Sequence, residues 1–185
     1  MLSTTDYAEF FANKWSSILR NKRKADTYTR GTQAFHEWIR QSFHINKPYN
    51  QFVAELVTAR GEISHNPATA WFRNVTDQKE RLQDTAQVLL GVRLQCAECH
   101  HHPYEKWSQQ DYYGFSAFFS RIGKKKTDMP GEEAVFHNVG LATAKNPKTG
   151  QNVKPTPLGG DELDILAEDA PRDDLASDSY THQTL

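Results

Sequence analysis

Cysteine is scarce: two in 185 residues, too few to staple a disulfide-held mini-protein. Neither sign of charge prevails, because 22 Lys and Arg stand against 23 Asp and Glu for a net charge of −1. Nucleic-acid binders usually carry a clear basic excess, so no nucleic acid is expected as a partner. No apolar run approaches the roughly 18 residues of a membrane-spanning helix, and no membrane span is expected. The opening residues, Met1-Leu2-Ser3-Thr4-Thr5-Asp6-Tyr7, hold no basic region followed by an apolar stretch, so no signal peptide is expected in them. A phosphate-binding glycine loop and a nucleophile elbow are missing as well, which leaves nucleotidase and hydrolase readings without support.

What is present is unevenly spread. Residues 1–121 hold 19 of the 21 aromatics, whereas residues 122–185 hold five of the eight prolines and six of the ten glycines. The first stretch can bury a core; the second has little apolar surface to offset its ordering entropy. The expected division is therefore a helical domain over 1–121 and an irregular extension or linker over 122–185. Eight carboxylates and one base, Arg172, make 161–178 an acidic, solvated segment. Limited proteolysis between about Gly123 and Gly160 is expected to leave a folded helical fragment.

The fold class expected is mainly α, with about five helices. Tyr7, Phe10, Phe11, Trp15, Ile18 and Leu19 fall at helical spacing on one face. Phe35, Trp38, Ile39 and Phe43 mark a second helix. Asn46 reads as the cap of a third, with Pro48 in its first turn and Phe52, Val53, Leu56 and Val57 inward. A fourth is expected from about Thr76 to Gln95, with Leu82, Ala86, Leu89 and Leu90 inward. A fifth starts at Ser108, which forms a capping box with Asp111 and carries Tyr112, Phe115, Phe119 and Ile122 on its face. Only residues 135–139 suggest a short strand, in the extension, and Lys124-Lys125-Lys126 reads as a solvated turn.

One motif carries chemistry. Cys96-Ala97-Glu98-Cys99-His100 is C-x-x-C-H, the sequence at which haem is attached in c-type cytochromes. Two thiols three residues apart on a helical turn can both reach one edge of a porphyrin, and the following histidine then offers a nitrogen to the iron. Cys96, Cys99 and His100 are thus candidate haem c residues, with the second ring nitrogen of His100 expected on a backbone carbonyl or similar acceptor. The alternative is zinc held by Cys96, Cys99 and histidines such as His100 and His102, although no second ligand pair follows at the usual distance. A thiol–disulfide site lacks the βαβ surroundings that would support it.

The run from Thr85 to Ile122, with C-x-x-C-H-x-H-P-x-x-K-W followed by D-Y-Y-G, resembles the central signature of the planctomycete-type cytochrome-like domain, a family of unknown function. Asn46-Lys47-Pro48-Tyr49-Asn50-Gln51-Phe52-Val53 resembles another of its stretches, and Trp15 and Trp38 fall where its early helices carry tryptophans. The resemblance covers about residues 5–160. It implies haem at Cys96, Cys99 and His100, and makes His102 a recurrent second histidine without an assigned role. It further implies a piece of a larger exported protein, with a periplasmic or other extracytoplasmic location. The partners it implies are a redox partner protein or adjacent domains of the same polypeptide. The role expected is an electron-transfer or accessory module more than a stand-alone enzyme.

Other side chains are read more plainly. His102, two residues from His100, is expected to hydrogen-bond instead of meeting the opposite face of the same porphyrin. No sixth iron ligand stands out: Met129 is read as exposed, and His36, His44, His65 and His137 as structural or exposed. Trp107, Tyr112, Tyr113, Phe115, Phe118 and Phe119 form an aromatic stripe that is core, or the wall of a haem that is itself core.

Overall fold

The computed structural model describes residues 4–23 and 26–178. Among them are seven α-helices and two small two-stranded sheets, so the chain is mainly α with strands in its later part. The chain divides into two compact units, residues 1–76 with 123–136, and residues 77–122 with 137–185.

The first unit holds α1 (Thr5–Ile18), α2 (Thr29–His44), α3 (Tyr49–Val57) and the single turn α4 (Trp71–Asn74). Strand β1 (Ile122–Lys126) pairs with β2 (Glu133–His137). Thr4 caps α1 by accepting the Tyr7 N–H at 3.3 Å, as Ser/Thr side chains do at helix starts. The face that α1 buries takes in most of the large apolar residues that outline it, with Tyr7, Phe11 and Trp15 half-buried, but not all of them. Ala8, Ala12 and Leu19 are buried, while Phe10 and Ile18 are exposed. Small residues let α1 approach α2 closely, while Tyr7 and Phe11 meet Phe43 and Trp15 meets Phe52 through their rings.

Asn46 likewise serves a different helix from the one expected. It sits at φ +50°, its N–H donates to Phe43 O at 3.1 Å, and the Lys47 N–H donates to Ser42 O at 2.8 Å. That pair of bonds closes the C-terminus of α2 as a Schellman motif. Pro48 occupies the cap of α3, with no side-chain capping bond. Behind these helices Trp38 stacks on Phe52 with centroids 4.9 Å apart, and Trp15 meets Phe52 edge-on at 5.3 Å. The three lysines expected in a solvated turn lie instead in β1. Lys124 reaches inward to donate to the Phe72 carbonyl.

The second unit holds α5 (Gln78–Asp84), α6 (Gln109–Ala117), β3 (Ala144–Lys145), β4 (Asn152–Val153) and α7 (Pro171–Asp178). The fourth helix of the sequence reading begins two residues later than expected, at Gln78, capped by Asp77 accepting the Glu80 N–H at 2.8 Å. It widens to a π-turn over Thr85–Leu89 and ends at Gly91, whose φ of +70° suits a residue without Cβ. The Ser108–Asp111 capping box forms in both directions. Tyr112, Phe115, Phe118 and Phe119 are wholly buried around α6.

The Pro/Gly-rich residues are mostly irregular but are held down. The Thr156 N–H donates to Gly114 O at 3.1 Å, so close that a Cβ on Gly114 would stand 2.7 Å from the Thr156 Cβ. Strands β3 and β4 pair antiparallel, with Ala144 opposite Val153, and Leu175 of α7 is buried.

Candidate functional site

The C-x-x-C-H segment folds as a 3-10 turn over Gln95–Glu98. In a 3-10 turn, side chains three apart stack on the same side. Leu94 and Ala97 form one such pair and are 1% and 0% exposed. Cys96 and Cys99 form the other, and both thiols are exposed. An apolar back with a thiol front thus follows from the order Leu-x-Cys-Ala-x-Cys. The Ala97 N–H donates to Leu94 O at 2.9 Å, and the Cys99 and His100 N–H groups both reach Cys96 O at 3.4 Å.

His100 is exposed, and its Nδ1 lies 2.7 Å from the His101 carbonyl oxygen. A carbonyl only accepts, so Nδ1 carries the proton and Nε2 keeps its lone pair. His102 is arranged the other way. Its Nδ1 accepts the N–H of Tyr104 at 3.3 Å and that of Glu105 at 3.0 Å, which places the ring proton on Nε2. Its own backbone N–H donates to Trp107 O at 2.9 Å. His102 therefore shapes the loop 102–107, in keeping with the hydrogen-bonding role expected of it.

Beside the thiol front lies a cleft of about 570 Å³ lined by Gln87, Arg93, Gln95, Cys96, His102 and Tyr104, among others. That volume falls within the roughly 300–1,000 Å³ of small-molecule sites. Among the described residues, no three His, Cys, Asp or Glu side chains converge so as to hold a metal ion.

The remaining histidines have other partners or positions. His36 Nε2 is 3.1 Å from Asn13 Oδ1, His137 Nε2 is 3.1 Å from an Arg172 nitrogen, and His65 lies 4.0 Å from Glu62. His44 closes α2 and is exposed. Met129 is exposed in the loop between β1 and β2.

Sequence reasoning did not single out Glu98, the residue between the cysteines. The Tyr112 hydroxyl donates to its Oε2 at 3.3 Å and Lys79 donates to its Oε1. Its carbonyl accepts from Gln109 Nε2 at 2.8 Å and from the Tyr113 hydroxyl at 3.4 Å. Burial pushes the Tyr112 phenol well above the usual tyrosine range, and the Glu98 charge pushes it further. No local pattern marks such a residue, because its partners come from two separate helices.

Compared with known families, residues 1–124 match PSCyt2, described as a protein of unknown function (DUF1549). The chain belongs to the PSCyt2 family. The match takes in the thiol turn, the loop shaped by His102 and the whole of α6, so the site lies inside the PSCyt2 region. No curated protein and no solved structure matches the chain.

Proposed function

We propose that the Cys96–His100 turn carries covalently bound haem c and that the chain is an electron-transfer module of a larger, extracytoplasmic redox or degradative protein. The observation that carries this reading is the pairing of two exposed thiols on one side of a buried-backed turn with a histidine whose Nδ1 is already tied to a carbonyl. Cys96 and Cys99 would form the two thioethers. His100 would bind through Nε2, with the His101 carbonyl fixing its tautomer and raising its basicity. Bound haem iron would supply a one-electron couple, and the protein's part is ligation, burial and orientation. The partner is a redox protein or a neighbouring domain of the same polypeptide.

The donor set favours this over zinc. Two thiolates and one histidine leave a tetrahedral site short of a ligand, and His102 holds two backbone N–H groups with the nitrogen it would need. The test is expression with export and c-type maturation. The reading expects a red protein whose haem stays on the chain after denaturation, a lower yield for Cys96→Ser, and loss of the axial ligand for His100→Ala. A colourless protein with stoichiometric zinc, losing metal and fold together in either Cys→Ser variant, would overturn it.

A further inference from the structure

We infer that Glu98 is a positioning residue that pins the thiol turn to α5 and α6 and so sets how Cys96, Cys99 and His100 are presented. The inference deepens the haem reading and rests on it for the consequence, though not for the geometry.

The turn has few restraints of its own. Two of its three backbone bonds, both onto Cys96 O, are 3.4 Å long, near the limit at which such bonds still hold. Its buried back consists of Leu94 and Ala97, and an alanine offers little to grip. Glu98 supplies what is missing through both its side chain and its backbone. Its carboxylate is held by Lys79 from α5 and by Tyr112 from α6. Its carbonyl is held by Gln109 and Tyr113, both from α6.

The anchors differ in strength. Lys79 is 61% exposed, and exposed ion pairs are weak and screened. Tyr112 is fully buried and Gln109 and Tyr113 nearly so, so their bonds form where water competes least. The close one among them is that of Gln109 at 2.8 Å, against 3.3 Å and 3.4 Å for the two tyrosine hydroxyls. Residues 98 and 97 therefore face the protein, and residues 96, 99 and 100 are left facing out. Loss of the Glu98 side chain frees one end of the turn while the helices keep their own packing.

The experiment is native-state hydrogen exchange on the full chain, without haem and with its thiols kept reduced. Glu98→Ala is expected to speed exchange of the Ala97, Cys99 and His100 amides by about tenfold relative to α6 amides. Glu98→Gln, whose amide oxygen still accepts from Tyr112, is expected to restore most of the protection. Unchanged exchange at those three amides in Glu98→Ala overturns the inference. If Glu98→Ala loosens the whole second unit, Gln109→Ala carries the test: faster exchange confined to the three amides supports the inference, and none overturns it.

Maturation to the haem form is scored separately. If the wild type takes haem, Glu98→Ala should raise the share of chains linked through a single thioether, read by mass spectrometry, and Glu98→Gln should lower it again. An unchanged share overturns the positioning role. If the wild type takes no haem, the haem reading fails, and the exchange result alone decides on Glu98.

Discussion

Arg121 donates through its guanidinium to the carbonyl oxygen of Ala167, 46 positions later. The same side chain reaches Asn138 O at 2.6 Å, Leu166 O at 3.3 Å and Asp169 O at 2.9 Å. Arg121 is 5% exposed, so one buried cation gathers carbonyls from a segment that has almost no sheet or helix to satisfy them. Replacing Arg121 with Met keeps the length and strips the donors. The cost expected is about 3 kcal/mol, since several hydrogen bonds to a charged group are lost, although Leu166 O and Ala167 O keep the N–H groups of Asp169 and Gly140. Urea unfolding followed by near-ultraviolet circular dichroism measures it. A change below about 0.5 kcal/mol, the usual size for a surface substitution, would show that the guanidinium does not anchor the segment.

Arg121 also bears on how the extension was legible. Its Pro and Gly content correctly announced irregular chain, yet irregular chain can still be tied down, and a single arginine 17 to 48 residues from its carbonyls leaves no local mark. The capping box of α6 was legible because Ser108 and Asp111 are three residues apart and the chemistry is local. The packing face of α1 was legible only in part. Hydrophobicity points to Tyr7, Phe11, Trp15 and Leu19, which are half-buried or buried, but also to Phe10 and Ile18, which are exposed. It passes over the buried Ala8 and Ala12 that close helix packing selected. At the site, the thiol spacing is written in the sequence, but Glu98 is explained by Lys79 and Tyr112, 19 and 14 positions away.

Asn46 offers a test of the α2 terminus. At φ +50° a residue with an ordinary Cβ is strained by about 1 kcal/mol, while Asn tolerates the region and Gly is free in it. Asn46→Ala is expected to lower stability by about that much, and Asn46→Gly to leave it unchanged or raise it by a few tenths of a kcal/mol. Thermal melts of the two variants decide. Equal melting temperatures for Ala and Gly would mean that the left-handed turn does not constrain the sequence there.

Tyr112 links the site to alkaline pH. Burial, and then the Glu98 charge, hold its phenol well above the usual tyrosine value of about 10. Because the folded state keeps the proton more tightly than the unfolded chain, this contribution to stability is complete below pH ~10. It falls as pH rises above that value, where only the unfolded chain ionises. Stability of the wild type is therefore expected to drop between about pH 10 and 11.5 more steeply than that of Tyr112→Phe. Denaturant midpoints at a series of pH values test this. Parallel curves would remove Tyr112 as the source, leaving Tyr113 and Tyr49, whose phenols burial also raises.

His102 separates two roles that a spacing argument cannot. Its Nδ1 accepts two backbone N–H groups, from Tyr104 and Glu105, much as an Asn or Asp side chain accepts the N–H groups of a turn that follows it. The Asn Oδ1 stands about where the histidine Nδ1 does, so His102→Asn is expected to keep the loop 102–107 and the neighbouring thiol turn. His102→Ala leaves both donors to water and is expected to cost about 1 kcal/mol, with the loss centred on that loop. If His102 were a metal or iron ligand, Asn would be as damaging as Ala, because an amide is a poor substitute for imidazole at either metal. Stability, bound metal and visible spectrum, measured on both variants, give the answer. A silent Asn beside a damaging Ala assigns His102 to the loop; two equally damaging variants assign it to the metal and send the zinc alternative back into contention.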